Sequence, residues 1–223
     1  MTSPTVLRWS PSAAAPVSCG LCASTAHDGL HLGLIVCEEN QRHYVLHMGW
    51  HQEKLIAELP NAQRWWHVRP TFDDDELEAL TNFASLAQRK LDVQRLPFGL
   101  SAQDARFTRA GAVELGAAKG LNCVTFVQML FKAAKVPLLL APGPEDLDEA
   151  RVAEDREAQA RLVATLREDA PLHAQSVETE VGAPRVRPEE VAAASGMAPR
   201  PVGFADAMRA GVVVRRKVMA DRR

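Results

Sequence analysis

Gly120-Leu121-Asn122-Cys123-Val124-Thr125-Phe126-Val127 is the stretch on which the reading of this chain turns. A glycine and a capping-type residue precede a run that continues through Met129, Leu130 and Phe131 and stops before Pro137. This predicts a helix from about Cys123 to Ala134, apolar nearly all round and therefore buried on most sides. Gly120 is expected to let the backbone turn tightly before it. A cysteine at the start of such a helix meets unpaired N–H groups and the positive end of the helix dipole, and both favour a thiolate. Its own N–H is also a candidate oxyanion donor, with Asn122 as a second donor or, alternatively, as the N-cap. Local context equally accommodates a buried structural cysteine.

A base is found upstream, in His31-Leu32-Gly33-Leu34-Ile35-Val36. A histidine that opens an apolar strand and is followed closely by glycine is an odd choice for packing alone. At a strand edge its ring is open to a nucleophile. Neutral imidazole also needs a partner that fixes its tautomer. His47, in Val45-Leu46-His47-Met48, is the first candidate, and His43 competes because the register is not set by sequence.

Around these motifs, residues 17–72 read as strands. Leu30–Val36 and Arg42–Met48 form a hairpin across Glu38-Glu39-Asn40-Gln41, with Lys54–Leu59 and Arg64–Val68 as weaker strands. An antiparallel meander is the simplest arrangement. Asp73 to Glu76 place negative charge at a helix start, and Leu77, Leu80, Phe83, Ala84, Ala87 and Leu91 follow helical spacing. Beyond Pro142 the chain changes character. Glu145–Glu168 is a charged helical stretch, Glu178–Pro188 a loop, and Pro188-Glu189-Glu190 a helix start. Phe204–Arg209 reads as a short helix and Val212–Val218 as a final strand. The division expected is a core over 1–140 and a mostly helical extension over 141–223, packed on the core.

The pattern H-x-G-hydrophobic-hydrophobic, then V-x-H-M on a following strand, then N-C-x-x-F-V opening a helix, resembles the circularly permuted papain-like thiol hydrolases. That branch includes permuted NlpC-type peptidases and the lecithin:retinol acyltransferase group. The matched motifs cover roughly residues 30–50 and 120–135. The resemblance implies an α+β fold in which an antiparallel sheet packs on a buried helix opened by the nucleophile. It implies Cys123 as nucleophile, His31 as base and His47 as the orienting residue. It further implies a cysteine peptidase or amidase that cleaves a peptide, isopeptide or peptidoglycan amide bond through an acyl-enzyme. Transfer or hydrolysis of lipid acyl groups, and a binding module without catalysis, are the alternatives. Trp50 is a candidate substrate contact; Trp65 and Trp66 suit a groove or the core.

Composition narrows the partners. The chain has 223 residues, 47% of them apolar, and a formal net charge of −2, which gives no electrostatic footprint for nucleic acid. The basic cluster at Arg215, Arg216, Lys217, Arg222 and Arg223 suits a solvated end. No run approaches the ~18 apolar residues of a membrane span. Without a secretory-type N-terminus a cytoplasmic location is expected, although export without a cleavable signal would leave the same sequence. Cys19, Cys22, His27 and His31 include zinc-ligand types, but the Cys22–His27 gap is short for a finger loop, so no metal and no other cofactor is expected. The pair reads instead as small buried thiols.

Overall fold

The computed structural model describes residues 4–8, 17–23, 29–37, 42–59, 65–143 and 146–220. Six strands form one antiparallel sheet: β1 (Val6–Arg8), β2 (Val17–Ala23), β3 (Leu30–Cys37), β4 (His43–His47), β5 (Ile56–Glu58) and β6 (Trp66–Val68). Their order is β1-β6-β2-β3-β4-β5. The expected meander therefore holds only from β2 to β5. The chain then returns to the far side of the sheet, where β6 pairs with β2 through Cys19↔Val68 and Gly20↔His67. The fold is α+β.

Side-chain alternation along β3 gives each face its own character. Leu30, Leu32, Leu34 and Val36 belong to the main core, together with Cys19 and Leu21 of β2. On the other face Ile35 and Val45 form a small cluster with Ala57, Leu59 and Trp65. The Cys-Gly-Leu-Cys stretch is simply part of β2. Three residues apart on a strand, Cys19 and Cys22 point to opposite faces and cannot converge on one ion. His27 lies outside the described residues, among which no group of three or more His, Cys, Asp or Glu side chains is placed to hold a metal.

Helix α1 (Asp74–Leu91) starts where the acidic run predicts, with Asp73 and Glu76 forming a reciprocal capping box. A short hairpin of β7 (Arg106–Phe107) and β8 (Val113–Glu114) follows, and then the buried helix α2 (Cys123–Ala133). Val124, Phe126, Val127, Met129, Leu130 and Phe131 of α2 are all buried. Burying a side chain of this size contributes about 1.5–3 kcal/mol, which outweighs the modest helix propensity of its valines and phenylalanines.

The C-terminal region contributes α3 (Glu149–Asp169), α4 (Pro171–Glu178), α5 (Pro188–Ser195) and α6 (Phe204–Ala220). Val212–Val218 is helical, which corrects the strand expected there. Phe204, Ala207, Gly211, Val214 and Val218 form the buried stripe of α6, while Val212 and Val213 face outward. Packing of that stripe overrides the strand preference of three consecutive valines. Gly211 makes the approach possible, since a Cβ there would lie 3.0 Å from Glu190 Cγ. Val191, Ala192, Ala193 and Ala194 of α5 are fully buried and share the core of β2 and β3. The region is thus part of the same core. No helix among the described residues is long and apolar enough to cross a membrane.

Candidate active site

The end of β3 gathers the residues singled out by sequence. His31 opens the strand opposite Cys22 of β2, and His47 ends β4 opposite Gly33. The two rings meet edge to face, and His31 Nε2 lies 2.9 Å from His47 Nδ1. His43 sits at the other end of β4, opposite Cys37, so the register selects His47 as the partner of His31.

Gly33 allows close packing beside the pair: a Cβ there would lie 2.3 Å from Val45 Cγ2 and 3.3 Å from His47 Cβ, so Val45 occupies the space a side chain would need. Trp65 stands beside His31 with ring centroids 6.0 Å apart.

Cys123 reaches the same strand end from α2. The β3–β4 ladder stops at Gly33↔His47, leaving Leu32 without a register partner on β4. Burial pushes the Cys123 thiol up from its ordinary value; the backbone amides of Leu32, Val124 and Cys123 itself and the Arg185 charge pull the other way. Cys22, driven up to about 12, and Cys37, up to about 11, have no such opposing contacts.

Burial, and then the neighbouring His47, push His31 down to about 3, and burial pushes His47 down to about 4. The resting site therefore holds a neutral thiol and two neutral imidazoles at neutral pH. One imidazole must donate to the other. With His31 Nε2–H as donor, His31 Nδ1 keeps its lone pair.

Asn122 has a different job from the oxyanion role considered for it. Its Oδ1 accepts from the N–H groups of Val124 and Thr125, and its Nδ2 donates to the carbonyls of Gly99 and Leu100. It is the N-cap of α2, and both amide protons are committed to holding the helix start against residues 99–100. Gly120 is needed for close approach, not for a turn conformation, since a Cβ there would lie 2.2 Å from the Pro97 carbonyl oxygen. The Cys123 N–H, at the first helical position, has no intrahelical acceptor.

A cavity of about 1320 Å³ opens over this cluster, lined by Cys22, His31, His47, Trp50 and Cys123 among others. Trp50 stacks on Phe98 at 4.7 Å, and its Nε1 donates to Asp169 across the opening. No family model matches the chain, and no curated protein or solved structure matches it significantly.

The opposite wall comes from α3 and residues 185–189. Behind it lies a buried charge network. Arg151 bonds Glu190 and Asp155, Arg187 bonds Asp155 at 2.9 Å and Glu154 at 3.0 Å, and Arg215 bonds Glu189. Removing one partner of such a buried pair costs about 3–5 kcal/mol. Arg185 and Asp169 escape a reading based on the thiol and imidazole motifs alone. The available signal was Pro184-Arg185-Val186-Arg187-Pro188, an extended proline-bracketed stretch that sends both arginines to one side.

Proposed function

We propose that the protein is a cysteine-dependent hydrolase of the permuted papain-like kind, which cleaves an amide bond through a Cys123 acyl-enzyme. The observation that carries this reading is the convergence of Cys123, at the start of a buried helix, and the hydrogen-bonded His31–His47 pair on one cavity.

In this mechanism the neutral His31 Nδ1 accepts the Cys123 proton as the sulfur–carbon bond forms. Proton transfer is coupled to attack because both resting groups favour neutrality. His47 accepts the Nε2–H bond, fixes the reactive tautomer and steadies the imidazolium. The Cys123 N–H donates to the developing oxyanion. The carbon–nitrogen bond breaks with the proton passing from His31 to the leaving amine. Water, deprotonated by His31, then releases the acid and restores the thiol. The cavity exceeds the ~300–1,000 Å³ typical of small-ligand pockets, which suits a peptide-sized substrate with Trp50 at its edge.

The test uses p-nitrophenyl acetate as a generic acyl donor, followed by intact-mass analysis. Wild type is expected to show a burst of nitrophenolate and an acetyl group mapped to Cys123. Absence of the burst relative to Cys123→Ala would remove the enzyme reading.

A further inference from the structure

The structure points to a carboxylate-binding role for Arg185, and we propose that the substrate of the Cys123 site is an acyl compound bearing a carboxylate close to the scissile carbonyl. This rests on the proposed hydrolase reading and adds a substrate class to it.

Cavity-lining cations can hold an anion only if they have donors to spare. Arg187 is committed to Asp155 and Glu154, Arg161 to Glu157, and Arg215 to Glu189. Arg185 differs. Its Nε approaches Asp155 at only 3.6 Å, and Asp155 already accepts closer bonds from Arg151 and Arg187. Among the described residues, the two terminal nitrogens of Arg185 make no hydrogen bond within the protein. A guanidinium in this state presents two parallel donors, which matches a carboxylate.

Its position is fixed. The Arg185 carbonyl accepts a bond from Arg151 at 3.2 Å, tying the backbone to the buried network. The side chain is 24% exposed and lines the same cavity as Cys123. Arg185 lies on the wall opposite Cys123, and its charge is felt at the Cys123 sulfur across the cavity that both line. The acids beside it on this wall are largely engaged by other cations: Glu154 holds Arg187, Glu157 holds Arg161, and Asp155, 3.6 Å from Arg185, is shared with Arg151 and Arg187. An anion that enters to meet Arg185 therefore sits in the same cavity as Cys123.

The experiment compares alkylation of Cys123 by iodoacetate, an anion, and by iodoacetamide, its neutral isostere. The ratio of the two rate constants at one pH cancels the thiolate fraction, so a changed thiol pKa does not disturb it. Wild type is expected to favour iodoacetate, with the preference falling as salt is added. In Arg185→Gln the ratio should drop about tenfold, while Arg185→Lys keeps part of it and Arg161→Gln keeps all of it. A ratio in Arg185→Gln equal to wild type, with Cys123 still labelled, overturns the carboxylate role and leaves the hydrolase reading standing. Should the glutamine variant fail to fold, a wild-type ratio insensitive to salt overturns it equally. If neither reagent labels Cys123 in the folded wild-type protein, the hydrolase reading falls and this inference falls with it.

Discussion

His47 reaches His31 across the side-chain-free face of Gly33, which is its own register partner. The pair is thus diagonal, two residues apart along β3, a separation of about 7–8 Å between backbones that two long rings span comfortably. Glycine in the middle of a strand costs roughly 0.5–1 kcal/mol relative to alanine. Here it makes room for Val45, which packs over it beside His47.

Gly33→Ala should therefore lose more than it gains. The new methyl group collides with Val45 and crowds His47, so stability should fall by about 1–3 kcal/mol despite the better strand propensity. Urea unfolding checks the stability. Acylation by p-nitrophenyl acetate should fall with it, and an unaltered acylation rate would show that the diagonal contact is dispensable.

On the proposed mechanism, the pH dependence of acylation follows from His31, which must be neutral to act as the base; with its ordinary value of 6.5 lowered to about 3, the acid limb should lie well below pH 6. His47 is one cause of that lowering. In His47→Gln the limb should move to higher pH while the plateau rate drops, by about tenfold or more. His31→Ala should lose about 10²–10⁴ in rate with no limb of this kind. A wild-type limb near pH 6.5 would contradict the buried neutral pair.

Folding stability should follow the same two groups. Both imidazoles bind protons more weakly folded than unfolded, so their contribution is complete above about pH 6.5. It is lost as pH falls towards 3–4, when the unfolded chain takes up protons that the folded site refuses. Each contributes roughly 1 kcal/mol per pH unit within that window. His51 and His67, lowered chiefly by burial, act with the same sign. Denaturant midpoints between pH 7 and 5 should decline in wild type and decline less in the His31→Gln, His47→Gln double variant.

Asn122→Ala removes four hydrogen bonds at the start of α2. A cost of about 2 kcal/mol, at the upper end for N-cap losses, is expected. Cys123 alkylation by iodoacetamide should change with it, because the helix start is no longer tied to residues 99–100. Asn122→Asp should restore the cap, as its carboxylate still accepts from Val124 and Thr125. Thermal unfolding of both variants separates the cap from the Nδ2 bonds.

Glu180 supports the same helix start from the other half of the chain. Its Oε2 accepts from the N–H groups of Leu100 and Ser101, and Leu100 in turn holds Asn122. Glu180→Ala leaves two buried donors without a partner and should cost about 1–3 kcal/mol. A loss of that size, measured by urea unfolding, would tie the C-terminal helices to the geometry of Cys123; an unchanged midpoint would disconnect them.

The elements most legible in the sequence were those whose signals agree. In α2, cap, apolar run and terminating proline coincide, and in α1 the capping box sits one residue ahead of an amphipathic stripe. The His31–His47 contact was readable as a choice between two histidines, and only register decided it. Long-range pairing was less legible: nothing local to Trp66–Val68 tells that strand to bypass its predecessors and join β2. The buried face of α3 was hidden for a different reason. It starts with Arg151, Asp155 and Gln159, spaced by four, and hydrophobic periodicity cannot find a buried stripe made of charges and amides. The Val212–Val218 run folds as helix against its strand propensity, because that propensity is local whereas the packing of Gly211 against Glu190 is not.

Placing the wall of the cavity at residues 154–189 has a consequence for the order in which the protein becomes competent. A chain made from its N-terminus produces β3, β4 and α2 first, yet the sheet they form lacks the alanines of α5 that complete its interior, and Cys123 lacks the arginine that faces it. On the proposed hydrolase reading, Cys123 would leave the ribosome before the walls of its cavity exist, and the site would be complete only when the last helices dock.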